Sequence, residues 1–215
     1  MSALDQTDAG RAPRPDYPEI GEQLRIRRHA RGLSLRELAD RMGVSASLIS
    51  QIERGLANPS VSTLYAMVAE LDVSLDELLF NEKRSSEPLA SGAGPIQRAT
   101  ERHRIRLASG VLWERLTTVS EPGVEFLYVM YEVGGASSPA DQYQRHGGHE
   151  WGYVLSGSLE VTIGFRQYLL EPGDAVSLDS TTPHRLANVG DVPVHAIWFV
   201  LGRDANDTHP SAAGV

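Results

Sequence analysis

The chain has 215 residues, of which 41% are apolar, and it carries a formal net charge of -8 at neutral pH. This composition is typical of a globular protein with one large domain or two modest ones, and the acidic balance argues against coating of nucleic acid through charge alone. The absence of cysteine excludes disulfides, thiolate metal sites and cysteine nucleophiles.

Residues 1–18 lack apolar periodicity and contain three prolines, so a disordered arm is predicted for them. They do not resemble a signal peptide, and no apolar run in the chain approaches the ~20 residues that cross a bilayer. The sequence therefore predicts a soluble, cytoplasmic protein without a membrane partner.

Residues 19–80 repeat apolar side chains at helical spacing and predict a five-helix domain. Its second helix begins at a capping box formed by Ser34 and Glu37, and it ends at Gly43, which can adopt a positive φ. Ser45 then caps a third helix. The positions predicted to face the core are Ile20, Leu24, Leu35, Leu38, Ala39, Met42, Leu48, Ile49, Ile52, Val61, Leu64, Val68, Leu71, Leu75, Leu78 and Leu79.

The third helix carries small polar side chains on the stripe opposite its apolar one. A serine hydroxyl can bond several bases and a glutamine can pair bidentately with adenine, so this stripe suits a DNA major groove. Between residues 19 and 54, seven arginines outnumber five acids, which predicts positive charge where phosphates would lie. The alternative is a helical bundle that serves only packing or dimerisation.

The helix pair and its tight turn resemble the helix-turn-helix of the lambda-repressor-like (Xre) family, and the resemblance covers roughly residues 19–80. It implies that the polar stripe faces base edges and that the loop after the third helix contacts the DNA backbone. The residues predicted to contact DNA are Arg36, Arg41, Ser45, Ala46, Ser47, Ser50, Gln51, Arg54, Asn58 and Ser60.

Residues 81–98 are rich in Ser, Gly and Pro and predict a flexible linker, and the polar residues 203–215 predict a flexible tail. Between them, residues 99–202 alternate short β-branched or aromatic runs with turns, which is typical of an antiparallel sandwich or barrel. The predicted fold class is therefore α+β with two domains. The runs predicted as strands begin at Arg104, Val111, Val124, Glu150, Ser158, Arg166, Ala175 and Val192.

Two spaced motifs of this second domain are His146-x3-Glu150-x6-Gly157 and Pro172-Gly173-x10-His184-x3-Asn188. They resemble the motifs of the cupins, small β-barrels of jelly-roll type that often hold a metal among three histidines and a glutamate. The resemblance covers about residues 99–201. It fails at one informative position, because the family's first histidine is Gln144 here.

Two imidazoles and one carboxylate form a ligand set that suits octahedral metals and leaves positions open for a further ligand. His146, Glu150 and His184 can supply this set for one divalent metal, Fe, Mn, Ni or Zn, with Gln144 as a weak fourth ligand. Without a metal, the same region predicts a polar floor that binds a small organic effector. The residues predicted to line that effector pocket are Tyr143, Gln144, His146, Glu150 and His184.

Two neighbours of Glu150 bear on this site. Gly152 shares the face of Glu150 on a regular strand and leaves space at the wall, which favours a guest molecule. His149 is expected to point away from that face and to be an ordinary surface histidine.

Together the two domains predict a ligand-responsive transcriptional regulator, specifically a repressor, without catalytic residues. The layout resembles regulators of putrescine utilisation, which implies a small organic effector. One recognition helix covers half an operator, so we expect a homodimer on palindromic double-stranded DNA, joined through an edge strand of the cupin domain. One alternative is a mononuclear non-haem iron enzyme with an inherited helix-turn-helix, because hydroxypropylphosphonate epoxidase shares this layout. A barrel used only for dimerisation is another.

Overall fold

A computed structural model describes residues 18–73, 75, 78, 94–119, 121 and 123–202. The predicted arm, linker and tail lie largely outside these ranges, at residues 1–17, 81–93 and 203–215. The N-terminal part is helical and the C-terminal part is built from antiparallel strands, as the α+β prediction requires.

Four helices form the described N-terminal part, namely α1 (Pro18–Ala30), α2 (Leu35–Met42), α3 (Ala46–Glu53) and α4 (Val61–Leu71). Predicted core positions such as Leu24, Leu38, Ile49 and Leu64 are fully buried between them. The fifth helix falls mainly outside the described residues, although Leu75 and Leu78 are described and buried. The fifth helix therefore stays a prediction. No helix in the described ranges is long and apolar enough to cross a membrane.

Local hydrogen bonds define the two ends of α2 and the start of α3. The N–H of Glu37 donates to Ser34 Oγ at 3.2 Å and the N–H of Ser34 donates to Glu37 Oε2 at 2.8 Å, which completes the predicted capping box. The hydrogen bond from the Ser34 backbone, and after it the bond to the Ser34 side chain, hold the pKa of Glu37 below its ordinary value. Gly43 ends α2 with a φ of 65°, and Ser45 Oγ accepts the N–H of Leu48 at the start of α3. All three predicted caps are confirmed.

A buried ion pair joins α1 to α3. Arg28 donates from Nε and Nη2 to the two carboxylate oxygens of Glu53, at 2.6 and 2.8 Å, and from Nη1 to the carbonyl of Leu33 at 2.8 Å. The bond to Glu53 raises the pKa of Arg28. Because a guanidinium and a carboxylate bonded in this bidentate way have one relative orientation, the pair fixes how α3 sits against α1.

After a short 3-10 helix (Ala99–Glu101), the described part of the chain contains nine strands in two antiparallel sheets. The larger sheet has the order β1-β2-β3-β9-β4-β7 and the smaller one the order β6-β5-β8. The bounds of the strands are β1 Arg104–Leu107, β2 Val111–Arg115, β3 Val124–Tyr131, β4 His149–Ser156, β5 Leu159–Ile163, β6 Arg166–Leu170, β7 Ala175–Asp179, β8 His184–Asn188 and β9 Val194–Leu201.

The sheet architecture leaves one sequence prediction open and adds one strand. The described strands form two antiparallel sheets, and closure into a barrel stays a prediction. Strand β8 was not among the eight predicted strands, because its sequence HRLAN lacks the β-branched and aromatic residues that mark a strand. Pairing with β5 makes it a strand, and its first residue, His184, lies opposite Ile163.

Candidate functional sites

The outer face of α3 presents the polar residues that the sequence assigned to base reading. Ser47 and Gln51 are exposed on this face, and the Gln51 amide lies 3.5 Å from Ser47 Oγ. Arg54 follows at the end of the helix, also exposed, and its Nε donates to the carbonyl of Ser50. The helix therefore offers hydroxyl, amide and guanidinium groups along one accessible side.

Other predicted DNA contacts also have structural roles. Ala46 and Ser50 are half-buried on α3, and the methyl group of Ala46 packs against the core. Ser45 is exposed but caps α3. Ser60 accepts the N–H of Thr63 at 3.1 Å and caps α4. Asn58 is half-buried in the loop between these helices.

The arginines divide into structural and accessible ones. Arg36 and Arg41 are exposed on α2, and Arg41 lies 3.6 Å from Glu70. The inclusion of Arg28 in the positive cluster was wrong, because this side chain is buried against Glu53. Arg25 and Arg31 likewise form ion pairs, with Glu22 and Asp72 respectively. The sequence signal for the buried pair was the position of Glu53 directly after Ile52 of the apolar stripe.

In the C-terminal part, the fold brings His146, Glu150 and His184 together as the motif spacing predicted. Glu150 lies on β4, His184 begins β8, and His146 lies in the loop before β4, where its N–H donates to the carbonyl of Ser180. His146 Nε2 is 2.8 Å and His184 Nε2 is 3.3 Å from Glu150 Oε1. The three ligand atoms lie within 4.8 Å of one another.

Backbone carbonyls orient both imidazoles. His146 Nδ1 is 2.9 Å from the carbonyl of Gly147, and His184 Nδ1 is 2.9 Å from the carbonyl of Thr182. Because a carbonyl only accepts, each Nδ1 must carry a proton, and the neutral form of each ring directs a lone pair from Nε2 towards Glu150. A lone pair facing a carboxylate oxygen is repulsive, and a cation shared by the three ligand atoms would remove this repulsion.

The donor set fits a cation. Two bonds of about 2.1 Å at a right angle place their ligand atoms about 3 Å apart, close to the separations found here. The carbonyl contacts at Nδ1 are the outer interactions that metal-ligating histidines commonly have. His146, Glu150 and His184 could thus hold one divalent metal, which would supply an electrophilic centre with open positions for a ligand.

The carboxylate of Glu150 is held by two further donors that the sequence analysis missed. Ser180 Oγ donates to Oε1 at 3.0 Å and Trp198 Nε1 donates to Oε2 at 2.6 Å. The interpretation of Gly152 as space for a guest was wrong, since a Cβ there would lie 2.0 Å from the Trp198 ring. The glycine makes room for the indole that orients Glu150.

The remaining predicted residues differ in position. Gln144 is buried, pairs with His184 through backbone hydrogen bonds, and its side-chain Nε2 has no hydrogen-bond partner. Tyr143 is 48% exposed and does not line the pocket, so the structure does not bring it to the site. His149 is exposed on the outer face of β4, as predicted.

The cavity beside these ligands is small, with a volume of about 20 Å³. A water molecule needs at least about 10–15 Å³, so there is room for one water or ion and not for an organic molecule. Tyr131 forms part of the wall, and burial, followed by the charge of Glu150, raises its pKa. The remaining walls come from both parts of the chain and include Val61, Tyr65, Trp113, Leu127, Val129, Leu186, Trp198 and Val200.

Comparison with known proteins agrees with both parts of this structure. Residues 24–78 match the helix-turn-helix family and residues 127–200 match the cupin domain family. The chain is 26% identical over 182 residues to the HTH-type transcriptional regulator PuuR of Escherichia coli (strain K12), covering 85% of this chain and 90% of PuuR.

Two further similarities concern the helical part and the whole fold. Over 83 residues the chain is 35% identical to the transcriptional regulator ClgR of Mycobacterium tuberculosis (strain ATCC 25618 / H37Rv), covering 38% of this chain and 74% of ClgR. The crystal structure of an HTH_3 family transcriptional regulator from Vibrio cholerae shares the fold, with a TM-score of 0.59 and 24% identity. That similarity covers 86% of this chain and 95% of the other. These relatives are regulators and do not support the enzyme alternative. The chain belongs to the helix-turn-helix family of transcriptional regulators, and it carries a C-terminal cupin domain.

Proposed function

We propose that the protein is a homodimeric repressor that reads a palindromic operator through α3 and leaves it when the cupin site binds a small effector. The observation that carries this proposal is the accessible polar face of α3, with Ser47 and Gln51 at its exposed positions. Repression requires only that the operator be occupied, without a surface that recruits polymerase, so it is the simpler mode of control.

Dimerisation follows from the size of the reading face. One helix of two turns contacts about half an operator, and two such helices must lie about one helical turn of DNA, ~34 Å, apart. We place the contact between protomers on the outer face of the larger sheet rather than on an edge strand. There Phe199 of β9 lies 6.1 Å from Phe126 and 5.7 Å from Trp151, between ring centroids.

This aromatic face, formed by Phe126, Trp151, Tyr153 and Phe199, is unusual for a surface in contact with water. Trp151 is 41% and Tyr153 is 47% exposed. A second copy of the chain is the occupant that the half-site argument already requires. In sedimentation experiments, Trp151→Glu should convert the dimer to monomer, whereas Tyr168→Glu on β6 should leave the dimer intact.

For the cupin site, we propose one divalent metal, from Fe, Mn, Ni or Zn, bound by His146, Glu150 and His184. The support is the arrangement of both Nε2 lone pairs around a buried carboxylate that Trp198 and Ser180 hold in place. Gln144 lines the same cavity, and we assign it the role of a weak ligand or of a contact to the effector.

The test is binding of the purified full chain to the DNA upstream of its own gene. Specific binding should be at least about a thousandfold tighter than binding to random DNA, with two protected half-sites. Loss of the gene should raise expression of a reporter driven by that DNA. Equal affinity for random and upstream DNA would refute the reading role of α3, and lower expression would refute repression.

A further inference from the structure

Helix α4 of the DNA-binding part forms one wall of the cupin cavity. The ring of Tyr65 on α4 has its centroid 5.4 Å from that of His146 and 5.6 Å from that of Trp113. Val61, one turn earlier on the same helix, is buried and lines the same cavity. The site is therefore assembled from both parts of the chain.

The same helix begins at the loop predicted to contact the DNA backbone. The N–H of Ala108 donates to the carbonyl of Pro59 at 3.0 Å, and the N–H of Ser62 donates to the carbonyl of Ser137 at 3.2 Å. Between these two bonds lies Ser60, the cap of α4. Because α4 moves as a rigid helix, a displacement of Tyr65 must also displace the loop at residues 58–60.

The size of the cavity means that part of its wall must be displaced before an organic ligand can enter. An organic ligand does not fit into about 20 Å³, so some part of the wall has to be displaced. The walls from β2, β3, β9 and β4 belong to one continuous antiparallel ladder of backbone hydrogen bonds. The α4 wall lies outside that ladder and can move without breaking the larger sheet. The walls at Ser137, Gln144, His146 and Leu186 also lie outside it, but of these walls only α4 continues into the loop at residues 58–60.

We propose that Tyr65 occupies the place of the effector in the cupin site, so that the effector and α4 compete for it. This inference rests on the regulatory function proposed above. The ring of Tyr65 packs against the imidazole of His146 and the indole of Trp113, so a ligand that replaces it has a flat apolar body of similar size. An oxygen-bearing head group on that body reaches the histidines, where it can ligate a metal or accept a proton.

The effector class is therefore a small planar carboxylate. Binding of this carboxylate expels the Tyr65 ring and moves α4. The loop at residues 58–60 then shifts away from the position that it has while Tyr65 packs on His146. DNA favours the form in which Tyr65 packs on His146, and the effector favours the form in which Tyr65 is expelled. By linkage, DNA must therefore weaken effector binding by the same factor by which the effector weakens DNA binding.

The experiment uses benzoate as the planar probe and formate as the small one, with calorimetry on the full chain saturated with Mn²⁺. Tyr65→Ala should bind benzoate at least tenfold more tightly than the wild type, because the competing ring is gone. Formate affinity should be unchanged. The matched control is Tyr168→Ala, which removes an exposed tyrosine from β6 and should bind both probes as the wild type does.

A second variant and a second readout keep the test decisive. Tyr65→Leu restores apolar packing on α4 but leaves the place of the ring open, so it should share the gain in benzoate affinity if Tyr65→Ala fails to fold. Benzoate should weaken operator binding by the wild type and not by either variant. Unchanged benzoate affinity in both Tyr65 variants overturns the inference, as does an equal gain in Tyr168→Ala. Tighter benzoate binding without any operator binding leaves Tyr65 in its role and refutes the proposed function instead.

Discussion

The buried pair between Arg28 and Glu53 allows a quantitative prediction about the helical part. Glu53→Ala leaves the Arg28 guanidinium buried without its carboxylate, with a bond to the carbonyl of Leu33 and a 3.4 Å contact between Nη2 and His29 Nε2. An uncompensated buried charge of this kind costs about 3–5 kcal/mol. Small domains have a free energy of unfolding of about 5–15 kcal/mol, so this single change should remove a large share of the stability of the helical part.

The chain permits the two parts to be followed separately. All three tryptophans, Trp113, Trp151 and Trp198, lie in the cupin part, so their fluorescence follows that part, and circular dichroism at 222 nm mainly follows the helices. Urea titration of Glu53→Ala should lower the midpoint of the dichroism transition. The midpoint of the fluorescence transition should shift less, because in the described part of the chain only the Trp113 indole packs on an aromatic ring of the helical part, that of Tyr65. DNA binding should fall with the folded fraction.

Two controls separate charge burial from other effects. Glu22→Ala removes the same residue type from the exposed pair with Arg25 on α1, and it should leave the dichroism midpoint unchanged. The double variant Arg28→Met with Glu53→Leu removes both charges and should recover most of the lost stability. If Glu53→Ala unfolds at the wild-type midpoint, or if the double variant is as unstable as the single one, the argument from buried charge is refuted.

Three further predictions concern DNA and metal. Gln51→Ala should cost about 1–3 kcal/mol of operator affinity and relax selection at one base position, and the same preferred site emerging from a random library would contradict this. Arg36→Ala should weaken binding to all sequences alike and flatten the dependence of affinity on salt, whereas a wild-type affinity insensitive to salt would refute the phosphate contacts. A chelator should lower the melting temperature of the cupin part, and elemental analysis should find about one ion per chain in the wild type and none in Glu150→Ala; equal metal content would exclude this site.

Much of the helical part was determined by local sequence. The capping box of Ser34 and Glu37, the left-handed Gly43 and the Ser45 cap act within a few residues, so spacing alone predicted both ends of α2 and the start of α3. The exposed face of α3 followed from the same helical periodicity. In the cupin part, the spacing from His146 to Glu150 and on to His184 predicted a convergence that the strands then produced.

Contacts between distant segments required the tertiary structure. Gly152 suggested an empty wall in the cupin site, because periodicity shows which face a residue lies on but not what packs against it. The indole of Trp198, 46 positions later, fills that space. Arg28 counted as a surface charge until its pairing with Glu53 placed it inside. β8 has no strand signal of its own and depends on β5. Tyr65 had no motif at all, because its proximity to His146 arises only where α4 packs on the cupin cavity. Local spacing thus determined the elements and their capped ends, and packing between remote elements decided which polar groups are buried, oriented or able to compete with a ligand.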